Sequence, residues 1–287
     1  MEWSIIRDKR LKDLRNCLTE NQCSIFTGAG VSVASGLPTW DNLIFHLYED
    51  AVGYSVKKNS TEYKLLQTMI SQSAIIAGRY IEEILKKNGK TLKEAVYAVL
   101  YEGKTDFHSP LLQSICNLIT KCGLTQIITY NYDDILDRAL EEVDRNVVRR
   151  KSNAPQKKNE RNVFHVHGIL PVDPRNTSSD AIVLSEKDYH TMYNQTYNWS
   201  DVVQIHALRS TTCIFIGLSM NDPNLRRLLE IANSKQRHYA FLKREHINNT
   251  EKAEIHREII EATLQGFNVE VIWYRKYDQL PDLIEKL

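Results

Sequence analysis

None of the five cysteines (Cys17, Cys23, Cys116, Cys122, Cys213) stands in a C-x-x-C pair, and their number is odd. This argues against a disulfide framework and against a zinc ribbon built on paired cysteines. The thiols are expected to be reduced and largely buried. No run approaches the roughly 18 apolar residues of a membrane helix. The first ten residues, Met1 to Arg10, carry acid and lack an apolar h-region, so they do not read as a secretory signal. There is no excess of either charge: 37 Lys and Arg face 36 Asp and Glu, a net of +1. Global charge thus supports neither direct nucleic-acid binding nor attachment to a membrane. The basic clusters Arg149-Arg150-Lys151 and Lys157-Lys158 read as solvated loop. No internal repeat or low-complexity segment is present. A cytoplasmic protein is expected.

What is there suits a globular chain: 287 residues, 42% apolar and 25% charged, enough for one large α/β domain with an insertion or for two small domains. Residues 3–20 read as an amphipathic helix. Short apolar runs read as strands at 23–26, 125–129, 162–166, 212–216, 238–242 and 269–274. Helical patterns occupy 41–51, 62–74, 76–87, 91–102, 133–143, 186–195, 199–209, 223–232, 249–265 and 278–287. Residues 145–161 read as a polar surface excursion, and 171–180 as a loop. Strands that alternate with helices predict parallel β-α-β units. The expected fold is a Rossmann-like, doubly wound parallel α/β sheet with helices on both faces. It forms a single domain over 1–287, with a helical insertion at 52–108 that covers the site.

Ligands of such sheets bind beyond the carboxyl ends of the strands, and four clusters fall there. The first runs from Thr27 through Gly28-Ala29-Gly30-Val31-Ser32 to Gly36-Leu37-Pro38-Thr39-Trp40. Gly28 and Gly30 let backbone amides approach a pyrophosphate, and Ser32 adds a hydroxyl. Val33 stands where the dehydrogenase fingerprint G-x-G-x-x-G has its third glycine. The second is Thr129-Tyr130-Asn131-Tyr132-Asp133. Its Asn131 amide can orient a water or a ribose hydroxyl, while Asp133 or Asp134 can equally cap the next helix. The third is Phe164-His165-Val166-His167-Gly168. Imidazole titrates near neutral pH and can take a proton, and His165 and His167, two apart on a strand, share one face. No carboxylate or thiol ligand set stands beside them, so no metal is expected. The fourth is Gly217-Leu218-Ser219-Met220-Asn221-Asp222-Pro223, where Asp222 and Pro223 also make a helix start.

In order and spacing, these clusters resemble the signatures of the sirtuin superfamily over about residues 20–245. The first resembles G-A-G-x-S-x-x-x-G-[IL]-P, the second T-Q-N-x-D, the third H-G and the fourth G-[TS]-S-L. The resemblance implies that NAD+ is held by Gly28, Ala29, Gly30, Ser32, Pro38, Thr39, Trp40, Asp133, Gly217, Ser219 and Met220. It implies catalytic roles for Asn131 and His167.

Protein deacylases of that superfamily carry a four-cysteine zinc module and a D-F-R step after the glycine–proline. Here Thr39-Trp40-Asp41 follows, and no zinc is expected. The chain is more similar to SIR2-like domains of bacterial antiviral defence systems, which hydrolyse NAD+ to nicotinamide and ADP-ribose. That likeness implies a homo-oligomer and a partner such as a HerA-type ATPase or another defence subunit. The chain closes soon after the expected core, so a separate subunit or a longer parent protein is expected to carry any sensing domain. Two other readings stay open: an NAD-dependent protein-lysine deacylase, and a non-catalytic NAD or ADP-ribose sensor that serves as an assembly subunit.

Overall fold

In the computed structural model the chain is described over residues 3–20, 22–150, 152, 157, 159–176, 182–195, 197–244 and 250–287. Lys151 and Lys158 of the basic clusters, residues 177–180 of the expected loop and residue 249 of an expected helix lie outside the described residues.

The chain forms a seven-stranded, wholly parallel sheet. Its strands are β1 (Cys23–Thr27), β2 (Gln126–Thr129), β3 (Val147–Arg150), β4 (Arg161–His165), β5 (Thr212–Ile216), β6 (His238–Lys243) and β7 (Val269–Tyr274). They lie in the order β3-β4-β2-β1-β5-β6-β7. Every residue of β1 is buried; Ile25 joins the apolar cluster on one face and Phe26 the cluster on the other. Successive strand residues point to opposite faces, so a sheet covered on both sides needs continuous apolar strands.

One face is covered by α1 (Trp3–Glu20), α6 (Pro110–Lys121), α7 (Ile135–Val143) and α12 (Gln279–Glu285). Helices α9 (Trp199–Ser210), α10 (Pro223–Ala232) and α11 (Thr250–Gln265) cover the other. No helix among the described residues is long and apolar enough to cross a membrane. From β1 the chain runs to β2 and β4 on one side, then returns past β1 to β5. The connections that leave β1 and β5 therefore run to opposite sides of the sheet, which makes the carboxyl ends of these two strands its switch point.

All six expected strands are present, and further elements appear, β3 and α6 the longest stretches among the sheet and its covering helices that the pattern does not name. The surface excursion expected over 145–161 contains β3, paired parallel to β4. Its Val-Val-Arg-Arg sequence has neither an apolar run nor an alternation, because an edge strand is only half-covered. The pattern also names no element between residue 109 and β2, yet α6 lies there. Ser109 caps it, Pro110 occupies its first turn, and its moment is strongly one-sided, with Leu111, Leu112, Ile115 and Ile119 buried.

Between β1 and α6 lie α2 (Ala29–Val33), α3 (Trp40–Val52), α4 (Thr61–Lys87) and α5 (Leu92–Tyr101). Helix α4 combines the two expected helices, and the break at Ser73 (φ −163°, ψ 96°) marks their boundary. Ser60 caps α4, and Thr91 with Glu94 forms a capping box on α5; each such cap stabilises a helix by about 1 kcal/mol. Helix α3 packs on both α4 and α5. The Tyr97 hydroxyl donates to Val172 O (2.8 Å) and that of Tyr101 to Leu170 O (2.6 Å). The inserted helices are thereby pinned to the segment that follows β4. Helix α8 (Glu186–Asn194) completes the chain's path between that segment and α9.

Candidate functional site

Each of the four motif segments begins where a strand ends: after Thr27, Thr129, His165 and Ile216. The first and fourth meet backbone to backbone. Gly28 N donates to Ile216 O (3.1 Å) and Gly30 N to Gly217 O (2.9 Å). A Cβ on Gly30 would stand 2.8 Å from Gly217 Cα, and one on Gly217 would stand 2.6 Å from Val31 N. Gly217 also sits at φ +70°, where side chains are strained. The glycines are thus required by the close approach of two loops. The Gly28 and Gly30 amides themselves are spent on Ile216 and Gly217.

The second segment locks onto the first. The Asn131 Nδ2 group donates to Ser32 Oγ (2.8 Å) and to Gly28 O (3.2 Å). Ser32 Oγ donates onward to Asp133 Oδ1 (3.0 Å), which also accepts from Ile135 N (3.2 Å). Both amide hydrogens of Asn131 are committed to protein, so its carbonyl Oδ1 is the group it can offer a ligand, as an acceptor. Asp133 is buried, and burial pushes its carboxyl up to about 6, against the Ser32 and Ile135 hydrogen bonds.

The third segment splits in two. Strand β4 ends at His165, and the Gly168 N→His165 O bond (3.2 Å) closes a turn that redirects the chain. His165 faces α7, with Nε2 3.0 Å from Asp137 Oδ2 and Nδ1 3.3 Å from Asn131 O. Asp137 also accepts from Arg149 Nε (3.1 Å), whose Nη2 reaches Asp134 (3.2 Å). Burial alone would raise the Asp137 carboxyl, but His165 and Arg149 outweigh it and hold the group below its ordinary range. His167 turns instead toward Tyr130 and Tyr189, whose rings stand edge-on at 4.7 and 5.7 Å. The expectation of a shared face for the two histidines is corrected: the turn after His165 ends the strand alternation.

His167 is 3% exposed, and its Nε2 has no hydrogen-bond partner. Burial pushes its pKa down, opposed by Asp222 and Asp201. Asn131 and His167 occupy matching places, each two residues beyond the paired Thr129 and His165 that end β2 and β4.

The remaining residues divide. The Trp40 ring lies 6.1 Å from that of Tyr132. Thr39 caps α3 by accepting from Asn42 N (3.2 Å). Pro38 lines a cavity of about 510 Å³, with Asn42, His46, Asp50, Glu102 and Lys104. Ser219 is exposed, and its Oγ accepts from Asn221 N (3.4 Å). The Met220 side chain belongs to the core, 2% exposed, while its backbone takes φ +61°. Tyr130, Asp137 and Tyr189 have no role in the sequence pattern, and Arg149 and Arg150, expected in solvated loop, are half-buried on β3 and paired with Asp134, Asp137 and Glu160. Only the fold shows what these side chains face, although Asp137 lies one helical turn beyond Asp133. Among the described residues no group of three or more His, Cys, Asp or Glu is placed to hold a metal ion.

The chain is similar to known proteins. The chain is 23% identical over its whole length to "NAD(+) hydrolase ThsA" of Bacillus cereus, and spans 58% of that protein. It is 24% identical over 79% of its length to "Defense-associated sirtuin 2" of Bacillus subtilis, spanning 21% of that protein. Among solved structures, a Sir2 homologue in complex with NAD is 14% identical, with a TM-score of 0.44; the match covers 95% of this chain and 92% of that one. The model of the SIR2-like domain matches residues 125–272, just over half of the chain. The chain belongs to the SIR2-like domain family.

Proposed function

We propose that this chain hydrolyses NAD+ at the bond between nicotinamide and ribose, as an NAD-depleting effector of bacterial antiviral defence. The observation that carries the reading is the placement of Asn131, its amide locked by Gly28 and Ser32, and of His167, buried and unpartnered at Nε2, each two residues beyond the paired ends of β2 and β4. An unpaired buried polar atom costs free energy unless a ligand or conformational change satisfies it. The relatives named as NAD+ hydrolases support the same activity.

In this reading the C–N bond breaks with its electron pair leaving on nicotinamide, and water adds to the ribose carbon. Asn131 Oδ1 accepts a hydrogen bond from that water or from a ribose hydroxyl. His167 takes the proton, for which its burial-favoured neutral form is suited. The Gly28–Ser32 and Gly217–Met220 loops border the dinucleotide, with Pro38, Thr39, Trp40 and Asp133 beside them. The chain acts as one domain, with 52–108 as an insertion over the site. It works in the cytoplasm as a homo-oligomer, with a HerA-type ATPase or another defence subunit supplying the trigger.

The test is incubation of the purified protein with NAD+, with and without an acetylated peptide, following nicotinamide and ADP-ribose. Equal release of both products without peptide is expected. Release only with peptide would make the chain a deacylase. Nucleotide binding without release would make it a sensor.

A further inference from the structure

The Asp222 carboxylate has two neutral donors and one unmade contact. Its Oδ1 accepts from Leu225 N (2.7 Å), which caps α10. Its Oδ2 accepts from the Tyr189 hydroxyl (2.6 Å) and stands 3.9 Å from His167 Nε2. That separation exceeds hydrogen-bond length by about 1 Å. The loop that delivers Asp222 contains two left-handed residues, Gly217 (φ +70°) and Met220 (φ +61°). A non-glycine residue in that region costs free energy, so the loop's path is held by its surroundings.

We propose that Asp222 is a positioning residue for His167, with the Tyr189 hydroxyl as the latch that aims its carboxylate. This inference rests on the hydrolase reading. A carboxylate that accepts from Nε2–H fixes the imidazole tautomer and leaves the other ring nitrogen as the proton acceptor. It also stabilises the imidazolium once the proton has arrived. The groups that face His167 are Tyr130 beyond β2, Tyr189 on α8 and Asp222 before α10, with Asp201 on α9 further out. Asp201 is bound to Arg227 and to Asn224 Nδ2 (3.0 Å). Asp222, held by Tyr189 and a backbone amide, has no Arg or Lys ion pair among the described residues.

The discriminating variant of the full chain is Asp222→Asn, because Asn caps a helix about as well as Asp. A residue that is only a cap would leave turnover and His167 unchanged. The expected result is a kcat lower by roughly tenfold or more, with the KM for NAD+ within about twofold. The acidic limb of kcat should move to lower pH, since loss of a neighbouring negative charge lowers the imidazole pKa. Tyr189→Phe should shift both quantities the same way by less. Independently of turnover, the His167 ring is followed by NMR in labelled protein, its signals assigned by their loss in His167→Gln. In Asp222→Asn the ring should titrate at lower pH by about one unit or more. An unchanged ring titration overturns the proposal, as does a shifted titration with unchanged kcat. A shifted titration in a protein that consumes no NAD+ leaves the coupling in place and removes the hydrolase reading instead.

Discussion

The side-chain amide of Asn131 donates to the Ser32 hydroxyl at 2.8 Å, tying the end of β2 to the glycine loop after β1. With the bond to Gly28 O it leaves one orientation for the Asn131 carbonyl. Replacement by alanine loses two hydrogen bonds, each worth about 1 kcal/mol to stability, so the fold should persist. Turnover should fall by about 100-fold or more, the scale set by loss of a preorganised polar group. His167→Ala should fall at least as far, by loss of the proton acceptor. Nicotinamide release from variants with unchanged circular dichroism checks both, and wild-type consumption by either would remove that residue from the mechanism.

Asp133 gives a stability signature with a definite sign. Burial raises its carboxyl from 3.8 to about 6 in the folded chain. Its ionised form is therefore disfavoured by folding. The stability associated with this group is fully present below the unfolded value and is lost as pH rises through about 6, by about 3 kcal/mol. Asp133→Asn keeps an acceptor for Ser32 and Ile135 and removes the charge. The stability of the variant relative to wild type should therefore increase between pH 4 and pH 7. Urea denaturation across that range measures it, and a difference independent of pH would show that Asp133 is not held in this state.

The strands and the four motifs were legible because each is local. Ile25 and Phe26 face opposite apolar layers, so β1 reads as an unbroken apolar run, and Gly28 and Gly30 follow at once. Strand β3 was not legible, because Val147 to Arg150 acquire their role only beside β4. Helix α6 carried local signals in Ser109 and Pro110 that the reading passed over. The direction of His167 depends on a turn closed one residue later, and strand periodicity carries no information about turns. Tyr130, Tyr189 and Asp222 are far apart in sequence, so their convergence on His167 belongs to the tertiary fold alone.

The glycines offer a comparison between conformation and close packing. Gly36 lies at φ +86° with nothing within 4 Å of an added Cβ. Gly36→Ala should cost about 1 kcal/mol, the strain of a left-handed residue. Gly217 shares that region, but its Cβ would also meet Val31 N at 2.6 Å. Gly217→Ala must push the β1 and β5 loops apart and should cost roughly 2 kcal/mol more. Denaturant midpoints at constant m-value measure the gap. Equal costs would mean that the loops are not in firm contact.

Arg149 stands on the strand that the sequence pattern missed, and it carries two buried carboxylates. Its guanidinium reaches Asp137 at 3.1 Å and Asp134 at 3.2 Å, and the two acids are 0% and 5% exposed against 24% for the arginine. Arg149→Met preserves much of the side-chain volume but leaves Asp134 without its cation and Asp137 with His165 as its remaining partner. The cost at neutral pH should be about 3 kcal/mol, the lower end of the range for a broken buried pair because Arg149 is partly solvated. In wild type the Asp137 carboxyl is depressed. Its contribution is thus present above its unfolded value and lost as pH falls through the folded one. The deficit of the variant should therefore be largest near pH 7 and shrink toward pH 4, where protonation relieves the unpaired acid. Urea denaturation at the two pH values measures this. A deficit that grows on acidification would show that Arg149 supports the edge strand by packing rather than by charge.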